Sequence, residues 1–125
     1  MNLVYHARAW AHGSYPMEAA VELLAHHGVW LHRPDFLRLA VDHEPPYAVI
    51  DFEAAHVALA SGRLPCSGSE AAVLRIALSL GHGLPVDLGP AITRLDTTNL
   101  GYVLAAIAHA SGNRAAWHTT ERDRP

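Results

Sequence analysis

Glycines divide this chain into stretches that suit short helices and little else. Gly13, Gly28, Gly62, Gly81 and Gly112 each close a helical-looking run, as in Ala11-His12-Gly13 or His26-His27-Gly28. Glycine reaches the left-handed conformation that ends a helix without steric cost. The starts are marked too. Ser67 with Glu70 three residues on forms a capping box, and Asp96 caps a last helix with Leu95 and Leu100 as a staple across it. Pro16, Pro34 and Pro90 fall in first turns, where a missing N–H costs nothing. Together these signals predict helices over 2–12, 16–27, 34–42, 47–61, 68–81, 87–94 and 97–111.

Periodicity supports the scheme. Met17, Ala20, Val21 and Leu24 follow the i, i+3, i+4, i+7 spacing of a buried helical stripe, with Glu18, Glu22 and His26 on another face. Leu100, Val103, Leu104 and Ile107 repeat the pattern in the last helix. Between 71 and 80 only Arg75 and Ser79 are polar, which marks the 68–81 helix as central. Tyr47-Ala48-Val49-Ile50 is the one run with strand character, and the prolines before it suit a helix start equally well. The expected fold is therefore all-α, an irregular bundle of about seven short helices packed around the apolar 68–81 helix. Residues 1–112 form the single domain. Residues 113–125 are expected as a flexible C-terminal tail, in which Trp117 is the one group able to dock onto the body. At 125 residues, half of them hydrophobic and 17% charged, the chain can fill one core and is not a disordered segment.

Several function classes are disfavoured. A formal charge of −3 and nine scattered basic residues, all Arg, argue against nucleic acid or an anionic membrane as partner. No stretch approaches the roughly 18 apolar residues of a membrane span. The N-terminus lacks a basic region followed by an apolar run, and Cys66 is alone, so a cytoplasmic location is expected.

Ten histidines invite a metal reading. Glu22 and His26 lie four apart on one helix face, and Glu53 and His56 have the Glu-x-x-His spacing of di-iron bundles. Such sites need a second copy and further glutamates on long helices, and no cofactor is expected. Glu53 and His56 fall among Val49, Phe52, Val57 and Leu59 on the apolar side of a 47–61 helix. Burial there would oblige both to find partners, from an Arg or from the indole of Trp10 or Trp30. Cys66 precedes the capping box, where a helix N-terminus can lower a thiol pKa and make it reactive. The helices at 68–81, 87–94 and 97–111 have helix–turn–helix proportions, with Arg94, Thr97, Thr98, Asn99, Tyr102 and Arg114 as candidate DNA contacts. The reading helix carries no cation before Arg114, which tells against that role.

The stretches Ala19 to Phe36 (AAVELLAHHGVWLHRPDF) and Ser67 to Leu80 (SGSEAAVLRIALSL), with Pro85-Val-Asp-Leu88 after them, resemble small helical proteins common in GC-rich actinobacteria. That resemblance implies a helical fold and brings no catalytic residue with it. The expected function is a non-enzymatic helical interaction or accessory module, self-associating or bound to a protein partner. A DNA-binding or metal-binding helical protein is the alternative.

Overall fold

The computed structural model describes residues 2–118. The main α-helices among the described residues are α1 (Leu3–Ala11), α2 (Tyr15–His27), α3 (Pro34–Ala40), α4 (Phe52–Ala60), α5 (Gly68–His82), α6 (Leu88–Ile92) and α7 (Thr97–Ala110). A 3₁₀ turn at Trp30–His32 follows α2, and a hairpin of β1 (Val41–Glu44) and β2 (Tyr47–Ile50) separates α3 from α4. The fold is predominantly helical.

Local capping chemistry forms where the spacing placed it. Ser67 and Glu70 exchange both capping-box bonds at the start of α5. The Asp96 side chain accepts from the Asn99 N–H at 2.8 Å. Gly28 ends α2 at φ +73°. Gly81 does not end α5: the helix runs to His82 and Gly83 takes the left-handed position. Gly81 is instead a close-approach residue, since a Cβ there would lie 2.6 Å from the Phe52 ring.

The hairpin corrects the expected 47–61 helix and shortens α3. β1 and β2 pair antiparallel in the register Val41↔Ile50 to Glu44↔Tyr47, across a turn at Pro45–Pro46, whose peptide bond is cis. β-branched Val41, Val49 and Ile50 fit a pleated strand, and the prolines supply no N–H for a helical ladder. Alternation buries Ala48 and Ile50 and leaves Tyr47 and Val49 outside. Helix α1 lies against β2.

Two helices share the middle of the bundle. In α5 every residue from Ala71 to Leu78 is buried except Arg75. It packs on α2, α4, α6 and α7, while α2 packs on α1, α5, α7 and the 3₁₀ turn. The indole of Trp30, fully buried, donates to the Glu70 carbonyl at 3.1 Å and ties that turn to the start of α5. Among the described residues no helix is long and apolar enough to cross a membrane.

Candidate functional site

Helix α7 is turned relative to its sequence stripe. Tyr102, Val103, Ala105, Ala106 and His109 face the core. Leu104 is 58% exposed and Ile107 43%. Helix α7 lies against α2, and the buried positions include Ala105 and Ala106 on one helix and Ala19 and Ala20 on the other. The outer face runs Thr97, Leu100, Gly101, Leu104, Ile107, Ala108 and Ser111, all exposed or half-buried. No Asp, Glu, Lys or Arg occurs anywhere on α7. Gly101 sits mid-helix, where glycine costs about 0.5–1 kcal/mol relative to alanine. A Cβ at that position would meet nothing within 4 Å, so nothing within the described residues uses the missing side chain.

The opposite face of α7 is held by a buried polar cluster. Glu18, only 9% exposed, sits in the first turn of α2, not on a solvent face as its helix periodicity suggests. One carboxylate oxygen accepts from His109 Nε2 at 2.8 Å and Arg114 Nε at 2.7 Å. The other accepts from the Gly13 N–H at 2.8 Å and Arg114 Nη2 at 2.8 Å. The indole of Trp117 donates to His109 Nδ1 at 2.8 Å. An indole can only donate, so Nδ1 is the acceptor and Nε2 carries the His109 proton. Arg114 chiefly, then His109 and the Gly13 amide, hold the Glu18 carboxyl well below the ordinary carboxylate range despite its burial. Both carboxylate oxygens of Glu18 and both ring nitrogens of His109 are hydrogen-bonded within the cluster. It performs a structural task, docking the 113–118 segment onto α2 and α7.

Trp117, 5% exposed, also stacks on His26 with ring centroids 4.3 Å apart. A cavity of about 340 Å³ opens here, lined by Arg8, Glu22 and His26 and by Glu18, His109 and Arg114 of the cluster. Its charges are paired internally. Arg8 makes two bonds to Glu22 at 2.6 and 2.9 Å, and His26 Nδ1 donates to the Glu22 carbonyl at 2.9 Å.

The expected site residues are dispersed by the fold. Glu22 and His26 are adjacent as their spacing requires, but Arg8 occupies the carboxylate. Among the described residues no three His, Cys, Asp or Glu side chains are grouped to hold a metal ion. Glu53 and His56 are both exposed, a correction that follows from the hairpin. Because α4 begins at Phe52, its buried stripe is Phe52, Ala55 and Ala58, and Val49 lies on a strand. Glu53 instead approaches His82 at 3.9 Å. Cys66 is exposed, and its thiol pKa is raised by partial burial and by nearby Glu70, the reverse of activation. The three helices expected at 68–81, 87–94 and 97–111 are present as α5, α6 and α7, with α6 shortened to Leu88–Ile92. Of the candidate DNA contacts Tyr102 is buried and Arg114 is bound to Glu18, while Arg94, Thr97 and Thr98 are exposed and Asn99 is half-buried. The described part of the expected tail, residues 113–118, is packed in place by Arg114 and Trp117; residues 119–125 lie outside the described residues.

Sequence spacing could not reveal the Glu18 cluster, whose members are separated by 91 and 96 residues. A late tryptophan beside an arginine, in a segment without periodicity, was the one available signal. No family model, curated protein or solved structure matches this chain.

Proposed function

We propose that this protein is a non-enzymatic helical module that self-associates through the outer face of α7. The observation that carries the reading is a 14-residue helix without a single Asp, Glu, Lys or Arg that leaves Leu104 and Ile107 about half in water. A helix whose only role was to cover a core would gain solubility from charges on that face. The Glu18 cluster supports the non-enzymatic part, because Glu18 and His109, the buried polar side chains among the described residues, are hydrogen-bonded within it.

The expected association is weak. Removing the exposed remainder of Leu104 and Ile107 from water in both copies contributes roughly 4 kcal/mol before the cost of association. A helix face about 21 Å long and 10 Å wide belongs with small, transient interfaces. Sedimentation velocity on the full chain, from micromolar to about millimolar, tests this. The wild type sediments as a monomer at the dilute end and as a dimer at the concentrated end. Leu104→Glu, at an exposed position, remains folded and monomeric throughout. A wild type that stays monomeric across the range overturns the reading.

A further inference from the structure

We infer that the cleft between α5 and the 85–94 stretch is a binding site for a small phosphate-bearing anion, held by Arg75 and Arg94. None of its lining residues belongs to α7, so it does not depend on the self-association proposed above. A cavity of about 470 Å³ lies there, walled by Ala72, Pro85, Val86, Pro90 and Ala91. That volume falls within the roughly 300–1,000 Å³ of small-molecule sites. Pro85 and Pro90 fix their own φ angles, which stiffens the wall on the α6 side. The charged lining is Arg75, Arg94 and Asp87.

Arginine pairing elsewhere in the fold sets the comparison. Arg8, Arg33 and Arg114 each lay a two-bond fork on one carboxylate, that of Glu22, Asp35 and Glu18 respectively. Arg75 and Arg94 make no hydrogen bond or ion pair among the described residues, although both share their cavity with Asp87. The Asp87 carboxylate, just before α6, accepts from none of that helix's amides. Two arginines against one aspartate leave the lining at +1, and no internal pairing cancels it. Arg94 is placed where that charge is reinforced. Its guanidinium lies over Gly68, so that a Cβ on the glycine would overlap it. This is the first turn of α5, where the helix dipole adds to a positive charge instead of offsetting it. Glu70, the acid of that turn, is engaged with the Ser67 N–H.

The number of guanidinium groups selects the ligand. One fork fills a carboxylate, as the three internal pairs show. A phosphate monoester offers three acceptor oxygens and up to two negative charges, enough for two forks. Asp87 is then the acceptor for a hydroxyl or amino group on the ligand's carbon skeleton.

NMR titration of the isotope-labelled full chain with inorganic phosphate and with glycerol phosphate, at constant ionic strength and neutral pH, tests the site. Both probes should shift the amides of Ala72, Arg75, Ala91 and Arg94, with glycerol phosphate binding several-fold tighter through its hydroxyls. Arg75→Gln and Arg94→Gln, each at an exposed position, should weaken binding about tenfold or more. Arg75→Lys, which keeps the charge and loses the fork, should recover only part of that loss. Arg63→Gln, at an exposed arginine outside the cavity, should leave binding unchanged. No saturable shifts up to about 20 mM phosphate, shifts centred elsewhere, or undiminished binding by both glutamine variants each overturns the site. Tighter binding of succinate than of either phosphate overturns the choice of ligand. Binding of a short DNA duplex without any response to the small anions assigns the arginines to nucleic acid and overturns it equally.

Discussion

Replacing Glu18 with glutamine keeps the shape of the side chain and removes its charge, which isolates what the buried cluster contributes. Four N–H bonds converge on the two carboxylate oxygens, from His109, Gly13 and twice from Arg114. Glutamine offers one accepting oxygen and an NH2 group. Whichever way the amide turns, an N–H points at an N–H and at least one buried donor loses its partner. An unpaired buried donor costs about 1–3 kcal/mol, and weakening a buried charged pair adds to it, for about 2–4 kcal/mol in all. The Arg114 guanidinium lies half in solvent, so its share is screened and is not counted separately. Urea denaturation at pH 7 should show this loss, with a melting temperature lower by roughly 8–15 °C. The pH dependence has a definite sign. A carboxyl whose folded pKa is depressed contributes stability that is complete above its unfolded value, near about 4.3, and is lost as pH falls toward the folded one. The gap between wild type and Glu18→Gln should therefore be constant near neutrality and shrink below about pH 4.3. A gap under about 0.5 kcal/mol at pH 7, or one that stays flat down to about pH 3, would refute the assignment of Glu18 as a buried, charge-paired anchor.

Three further outcomes follow from the geometry. Trp117→Phe leaves His109 Nδ1 without its donor and should cost about 1–2 kcal/mol in urea unfolding, with Trp117→Ala costing more. Gly81→Ala drives a methyl group into the Phe52 ring and should destabilise the fold by about 1–3 kcal/mol despite alanine's better helix propensity, with Phe52→Leu in the same chain restoring part of the loss. Cys66 should be alkylated by iodoacetamide at pH 7 no faster than a small free thiol, with the rate climbing as pH rises, because burial and Glu70 disfavour its thiolate; a rapid burst at pH 7 would contradict this.

What could be read from the chain beforehand divides by the range of the interactions. Ser67 with Glu70, Asp96 with Asn99, and the turn at Gly28 are settled within a few residues, so their spacing in sequence is enough to identify them. The hairpin was ambiguous because Tyr47 to Ile50 satisfies both periods over so short a run. Its register against Val41–Glu44, together with the seat that Ala48 and Ile50 find in the core, decides the matter, and neither is local. Helix α7 misleads for a different reason. Its leucines and isoleucine look like the core stripe, yet the helix buries Tyr102, Val103, Ala105, Ala106 and His109, the last held by its long-range bonds to Glu18 and Trp117. The same rotation hides the candidate interface, which reads in sequence as an ordinary core. Glu53 and His56 share an apolar face with Val49 only in a continuous 47–61 helix; with Val49 on β2 and α4 starting at Phe52, both lie outside the buried stripe.

The Glu18 cluster also imposes an order in time. Helix α2 is synthesised about 90 residues before His109, Arg114 and Trp117, the groups that satisfy its acid. Until those groups arrive, the only partner of the carboxylate from its own neighbourhood is the Gly13 N–H. The acid can leave water only once His109 and Arg114 have joined α2, so helix α2 and the 109–117 stretch are buried together or not at all.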